Sequence, residues 1–171
     1  AEGPAGEDYR KRKLLEHYLE PVALKGDLKV MDVCLLLCLC EKHEWDSRRE
    51  LADFAGITRT NLTSGLQRLT MKGFLKVEEV KGPKPSKKDK TTGKNKMKAA
   101  EMAETKRKER GGRIAVTILP AADAVMKELE MAQRDYDAAR FAGFTEEELI
   151  KYAELSEKIK ENTKNILYFL N

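Results

Sequence analysis

The feature that most constrains this chain is the stretch from residue 45 to residue 74, WDSRRELADFAGITRTNLTSGLQRLTMKGF. Ser47 and Glu50 form an S-x-x-E capping box, which predicts that a helix begins at Ser47. Gly56 follows soon after, where a residue with positive φ can end a helix. The stretch therefore opens with a short helix and a tight turn.

A second helix is predicted directly after that turn. Thr58 is a suitable N-cap, and Gly73 closes the helix. Between them the leucines recur every three or four residues, which predicts one buried stripe: Leu62, Leu66 and Leu69. Two short helices joined by a turn that contains glycine are the helix-turn-helix pattern.

The outer face of the second helix has the composition of a DNA-reading surface. No Asp or Glu occurs from Thr58 to Gly73. Amide side chains can pair with adenine edges, arginine with guanine, and hydroxyl groups with phosphate. The alternative is a solvated face, but such a face normally mixes Glu with Lys, so we favour DNA recognition. The predicted contacts on this helix are Thr58, Arg59, Thr60, Asn61, Thr63, Ser64, Gln67 and Arg68.

Two strands are predicted next, FLKVEEV at Phe74 to Val80 and RIAVTIL at Arg113 to Leu119, because both are rich in Phe, Val and Ile. Residues 81–112 lie between them and are called the basic wing segment below. This segment holds twelve Lys or Arg against four Asp or Glu, a net +8, so the rest of this +4 chain is net −4. Ordinary hairpin loops are much shorter, so the pattern predicts an enlarged wing that contacts a polyanion.

The basic wing segment begins with Pro, Gly, Lys and Thr, a composition that does not form a core. Its residues 96–109 contain better helix formers and predict a short helix, intrinsic or induced by DNA. The alternative is a flexible, solvated loop. The predicted DNA contacts in and beside this segment are Lys84, Lys87, Lys88, Arg110 and Arg113.

Helices are also predicted before the helix-turn-helix. One covers residues 8–20 and is ended by Pro21, and residues 1–7 are expected to be disordered or left over from processing or cloning. Asp27 is the predicted N-cap of the next helix. Residues 28–40 are apolar nearly all round, so this second helix is expected to form the core.

The three cysteines, Cys34, Cys38 and Cys40, lie in the apolar run VCLLLCLC. An odd, clustered set in a chain where we expect no secretory signal argues against a disulfide framework. We predict that they are small buried hydrophobic residues, and redox sensing is the alternative.

Two long helices are predicted at the C-terminal end. Pro120 suits the first turn of one helix, which extends to about Ala142 and stops at Gly143. Thr145 and Glu148 form a capping box for the last helix. A single winged domain cannot cover the apolar faces of both helices, so homodimerisation is expected, with the N-terminal helix in the same interface.

This order of elements resembles the MarR family of bacterial transcription regulators. The segments RRELADFAGITRTNLTSGLQRLTMKGFL and GFTEEELIKYAELSEKIKENTKNI are similar to that family's winged-helix core and its terminal dimerisation helix. The resemblance implies a mainly α fold with a small β wing (α+β), in which N- and C-terminal helices form the dimer. Residues 27–118 are then the winged-helix domain, and residues 8–26 and 119–171 the helical dimerisation region.

The resemblance also implies a function. Members bind pseudo-palindromic double-stranded DNA as homodimers, usually repress transcription, and often release DNA when a small aromatic ligand or an oxidant acts. An effector pocket would be lined by Tyr18, Cys34 and Tyr136. The stretch KERGGR lacks the family's D-x-R wing spacing, and the long insertion also departs from its compact wing.

Two other classes of function are a non-specific DNA-binding protein and an enzyme. The same fold and the net +8 segment suit a non-specific architectural or replication-type DNA-binding protein. An enzyme is not expected, because His17 and His43 have no catalytic spacing and no nucleophile, metal or phosphate-binding motif occurs. We expect no cofactor, no metal and no membrane partner, and a location in the bacterial cytoplasm on the nucleoid.

Overall fold

A computed structural model of the chain describes residues 3–80 and 112–170. The chain divides into two compact units, one ending at Ala132 and the other beginning at Gln133. The described elements, in chain order, are α1 (Pro4–Lys25), α2 (Val30–Glu41), β1 (Glu44–Trp45), α3 (Arg48–Ala55), α4 (Arg59–Met71), β2 (Leu75–Val80), β3 (Arg113–Ile118), a 3-10 turn (Pro120–Ala122), α5 (Asp123–Arg140) and α6 (Glu146–Leu170). The fold is mainly α with a small antiparallel sheet, as the sequence predicts.

The helix-turn-helix is formed by α3 and α4, and its ends are fixed by the predicted residues. The Ser47 hydroxyl accepts a hydrogen bond from the Glu50 N–H at 3.1 Å. Gly56 ends α3 with φ of 68°, in the left-handed region where a side chain would be strained. The Glu50 carboxylate accepts from the Asp46 N–H at 2.6 Å, rather than closing the predicted capping box on Ser47.

The sheet has three strands in the order β1-β3-β2, and all pairs are antiparallel. Val80 lies opposite Arg113 and Leu75 opposite Ile118, so the two predicted wing strands pair along their full length. The short β1 was not predicted, because two residues carry no periodicity. It places Trp45 opposite Ile114, and the Trp45 side chain is buried.

The core of the first unit lies between α2 and the other elements. Leucines from α1, α2, α3, α4 and the sheet meet there, which accounts for the nearly continuous apolar character of α2. The largest fully buried side chains are Trp45, Leu19, Leu35, Leu36, Leu39, Leu51, Leu62, Leu69, Leu75, Ile114, Leu129 and Val33.

Helix α1 differs from the prediction at both ends. It begins at Pro4, within the residues expected to be disordered, and it continues past Pro21 to Lys25. Proline removes one helical hydrogen bond. Leu19 and Val22 are buried on either side of Pro21, so burial of this face outweighs the missing bond.

The connection between α1 and α2 also differs from the prediction. Asp27 has φ of 52° and lies in the turn, so it is not the N-cap of α2. That helix begins at Val30, after Lys29. The Asp32 carboxylate in its first turn accepts a hydrogen bond from the Lys29 N–H at 3.2 Å.

The second unit contains the end of α5 and all of α6. Gly143, with φ of 81°, lies in the turn between them. The Thr145–Glu148 capping box is confirmed in both directions, with hydrogen bonds of 3.1 and 3.2 Å. None of the residues in α6 is buried. Its exposed apolar residues are Leu149, Ile150, Tyr152, Leu155, Ile159, Ile166, Leu167, Tyr168, Phe169 and Leu170.

Candidate nucleic-acid interface

The predicted recognition face is the exposed side of α4. The leucine stripe and Gly65 are buried against the core. Because the leucines of α4 face the core, most of its uncharged polar residues face solvent. Ser64 is half-buried, at the boundary between the two faces. The exposed residues of the predicted set on this helix and its N-cap are Thr58, Arg59, Thr60, Asn61, Thr63 and Gln67.

Two hydroxyl groups on this face have part of their hydrogen-bonding capacity used within the helix. The Thr58 oxygen accepts from the Asn61 N–H at 3.1 Å, so its own hydrogen remains available to a phosphate oxygen. The Thr63 hydroxyl donates to the Arg59 carbonyl oxygen at 2.9 Å. Thr63 therefore presents lone pairs and a methyl group, but no donor, to an approaching duplex.

The placement predicted for Arg68 is wrong. Its guanidinium group turns toward α2 and binds the carboxylate of Asp32, with Nη2 to Oδ1 at 2.7 Å and Nε to Oδ2 at 3.0 Å. Asp32 is 1% exposed, whereas the Arg68 side chain is 31% exposed. The hydrogen bonds that Arg68 donates to Asp32 raise the pKa of Arg68, so its guanidinium group stays charged.

Asp32 was not predicted as a partner of the recognition helix, although it is the one carboxylate inside the apolar run VMDVCLLLCLC. A buried carboxylate needs hydrogen bonds and a cation, and an acidic residue in such a run is a signal to look for one. Gly65 permits the approach of α4 to α2. A Cβ atom at Gly65 would lie 3.2 Å from Leu35 Cδ2 and 3.4 Å from Asp32 Oδ1.

Arg113 begins β3, at the base of the wing. Its guanidinium group lies 3.5 Å from a Glu44 carboxylate oxygen and 3.6 Å from one of Asp46. These pairs are solvent-exposed and therefore weak. Arg113 thus has carboxylates beside it in the free protein, and its contact with DNA stays a prediction. The other predicted wing contacts, Lys84, Lys87, Lys88 and Arg110, lie outside the described residues.

Comparison with known proteins adds a fold assignment. No protein-family model and no curated protein sequence matches the chain. Solved structures do match. A MarR family transcriptional regulator from Silicibacter pomeroyi superposes with a TM-score of 0.59 and 18% identity, over 90% of this chain and 84% of that one. The chain has the winged-helix fold of the MarR regulators.

Two further structures show the same MarR-type fold. A MarR transcriptional regulator from Methanosarcina mazei has a TM-score of 0.61 and 12% identity, over 95% of this chain and 90% of that one. A MarR family protein from Mycobacterium tuberculosis, in complex with salicylic acid, has a TM-score of 0.56 and 17% identity, over 93% and 97%. The structures from Silicibacter pomeroyi and Methanosarcina mazei are described as transcriptional regulators.

The residues predicted to bind an effector in this MarR-type fold are placed as follows. Tyr18 on α1 and Cys34 on α2 are half-buried and pack against the core of the first unit. Tyr136 belongs to the second unit, where the Arg140 guanidinium lies 5.0 Å from its ring centroid. A small open cavity of about 180 Å³ in the first unit has other walls: Val22, Lys25, Gly26, Ala124, Val125 and Glu128.

The three cysteines of α2 differ in exposure. Cys34 and Cys38 are half-buried, but Cys40 is exposed, so the prediction of burial is wrong for Cys40. Burial raises the pKa of Cys38 to about 11, and the neighbouring Cys34 and Glu41 add to the effect. A raised pKa keeps a thiol protonated and slow to react, which favours a packing role over a redox role.

No helix within residues 3–80 and 112–170 is long and apolar enough to cross a membrane. In those same ranges, no three His, Cys, Asp or Glu side chains are grouped so that they could hold a metal ion.

Proposed function

We propose that this protein is a sequence-specific transcription regulator that binds double-stranded DNA as a homodimer. The observation that supports this most directly is the exposed face of α4 in a MarR-type fold. That face combines amides, hydroxyl groups and Arg59, and α4 contains no carboxylate. Such a helix suits the major groove, where amides and hydroxyl groups pair with base edges.

The homodimer is supported by α6. A helix whose apolar residues are all exposed in the monomer needs a partner surface, and a second copy supplies an identical one. Two recognition helices would then enter successive major grooves about 34 Å apart, which requires a pseudo-palindromic operator. The basic wing segment, with its net +8 charge, would add contacts to the phosphate backbone.

By analogy with the family it resembles, the protein would act as a repressor in the bacterial cytoplasm, on the nucleoid. A small aromatic acid is the proposed effector class, since one solved neighbour holds salicylic acid. An oxidant is the weaker proposal, because burial raises the pKa of both Cys34 and Cys38. Tyr18, Cys34 and Tyr136 remain the proposed effector-binding residues.

The test is selection of bound sequences from a random pool of duplex DNA, followed by titration of the winning site. We expect an inverted repeat with half-sites one helical turn apart. Asn61→Ala and Gln67→Ala should reduce the preference for the selected site over random duplex. Gln133→Ala is the matched control, because Gln133 is also an exposed helical glutamine but lies on α5.

An architectural DNA-binding protein is the second candidate, supported by the strongly basic wing segment. It predicts nearly equal affinity for the selected site and for random duplex, and little effect of Asn61→Ala. That outcome would contradict sequence-specific regulation.

A further inference from the structure

We infer that the centre of each operator half-site is built from A·T base pairs and read by amide and methyl groups of α4. This inference rests on the proposed function and specifies the DNA sequence class that the same site takes. It follows from the side chains that are exposed on α4 and from one arginine side chain that instead binds a buried carboxylate.

The arginine side chain that turns away from the exposed face of α4 is Arg68. Arginine bound to the O6 and N7 atoms of guanine is the commonest specific contact in the major groove. Arg68 is not available for it, because Nε and Nη2 both donate to the buried Asp32 carboxylate. Releasing Arg68 would leave a carboxylate that is 1% exposed without its cation, which is costly.

Cytosine readout by a carboxylate is also missing from α4. Glu and Asp accept hydrogen bonds from cytosine N4, but the helix has neither. The remaining cation of the helix is Arg59, at its first residue. Helix N-termini commonly contact phosphates, so Arg59 is assigned to the DNA backbone at the edge of the half-site.

Four of the other exposed or half-buried polar residues of α4 form one stripe along the helix, which Met71 extends, whereas Asn61 and Thr70 lie to either side of it. Successive turns of the helix each contribute to it, with Thr63 and Ser64 side by side on one turn, and the stripe spans about 16 Å from Thr60 to Met71 at about 1.5 Å per residue. Base pairs are about 3.4 Å apart, so the stripe faces four or five of them. Its members are Thr60, Thr63, Ser64, Gln67 and Met71.

The chemistry of this stripe matches adenine and thymine. The Gln67 amide can donate to adenine N7 and accept from adenine N6 at once. The Thr63 hydroxyl hydrogen is held by the Arg59 carbonyl oxygen, so Thr63 offers its methyl group. Met71 is 81% exposed and offers an apolar thioether. The thymine C5-methyl group is the apolar feature of the major groove that such side chains contact.

The first experiment examines the sites selected from random duplex DNA. We expect A·T pairs at the central positions of both half-sites. Gln67→Ala should lose about tenfold in discrimination at one adenine position, and Gln133→Ala should lose none. An enriched inverted repeat with G·C pairs at the centre of its half-sites would overturn this inference and leave the proposed function standing. If no repeat is enriched, both are overturned.

The second experiment isolates the methyl contacts. Uracil replaces thymine at the central positions of the selected duplex, which removes only the C5-methyl group. We expect the wild-type protein to bind the uracil duplex several-fold more weakly. Thr63→Ser keeps the hydroxyl group and removes the methyl, so this variant should show a smaller difference between the two duplexes. Equal affinity of the wild type for both would overturn the methyl readout.

Discussion

At the scale of single residues, the Asp32–Arg68 pair has the greatest consequence for the fold. We expect Arg68→Ala to lower the free energy of unfolding by about 3 kcal/mol, because a carboxylate that is 1% exposed loses its cation. The loss is at the lower end of the usual range for a buried pair, because the Arg68 side chain is 31% exposed and solvent screens the pair. Urea denaturation at fixed protein concentration measures the change.

The matched control for Arg68→Ala is Gln67→Ala, the adjacent residue on the same helix with an exposed side chain. It should change the free energy of unfolding by no more than about 0.5 kcal/mol. The double variant Asp32→Leu/Arg68→Leu should recover most of the lost stability, since an apolar pair needs no charge compensation. If Arg68→Ala is as stable as Gln67→Ala, the pair does not support the fold.

The cysteines allow a second prediction at the same scale. Iodoacetamide reacts with the thiolate, so each rate rises with pH until the pH passes the pKa of that thiol. Burial raises the pKa of all three thiols, and that of Cys38 to about 11. We therefore expect exposed Cys40 to be alkylated first at pH 7.5, and Cys38 to react faster as the pH rises even above 9.

Mass spectrometry of the peptides at successive times gives the order of alkylation. In urea the unfolded chain exposes all three cysteines, so they should react at similar rates. This is the control for differences in access of the reagent to each thiol. Rapid alkylation of native Cys34 or Cys38 at pH 7.5 would instead support redox sensing.

At the scale of secondary-structure elements, the sequence correctly predicted helix ends that are fixed by contacts between residues close together in the chain. Ser47, Gly56 and Thr58 fix the ends of α3 and α4 through contacts within a few residues, so short motifs revealed them. Contacts between distant residues were not predictable in this way. The path of α1 past Pro21 depends on burial of its neighbours, and the orientation of Arg68 depends on a residue 36 positions away.

The candidate site shows the same division. Helical periodicity correctly placed Thr60, Asn61, Thr63 and Gln67 on the exposed face of α4. Periodicity gives the direction of a Cα–Cβ bond, but a long side chain such as Arg68 can turn back toward a buried charge. The sequence therefore predicted the exposed face of α4 and misplaced Arg68.

The N-cap of α4 supports a prediction for the recognition helix as a unit. Thr58→Ala removes the hydroxyl oxygen that accepts from the Asn61 N–H at 3.1 Å, so the free energy of unfolding should fall by about 1 kcal/mol. Thr58→Ser retains the cap and should fold with nearly wild-type stability. Thermal denaturation of the two variants compares them, and equal losses would show that the hydroxyl group does not cap the helix.

At the scale of the whole molecule, α6 predicts that a second copy is required. Ile159 is 67% exposed and lies among the apolar residues of this helix. We expect Ile159→Asp to shift the protein toward monomer, because a charge would be buried in the interface. Sedimentation equilibrium measures the shift.

The control for Ile159→Asp is Asn165→Asp, since it introduces the same residue and the same charge on a different face of α6. It should leave the association unchanged. A wild-type protein that stays monomeric at micromolar concentration would contradict the homodimer.

The last prediction concerns the basic wing segment, because its positive charge should raise the affinity of the homodimer for DNA. Affinity should fall steeply with salt, since each neutralised phosphate releases counterions. The triple variant Lys84→Gln/Lys87→Gln/Lys88→Gln removes six lysines from the homodimer, so it should reduce the slope of log K against log[salt] by up to about 5, nearly one for each lysine that neutralises a phosphate. Lys158→Gln/Lys160→Gln/Lys164→Gln changes net charge equally on α6 and should leave the slope unaltered. Fluorescence anisotropy over a series of salt concentrations measures both, and equal slopes for the two triple variants would show that these wing lysines do not bind DNA.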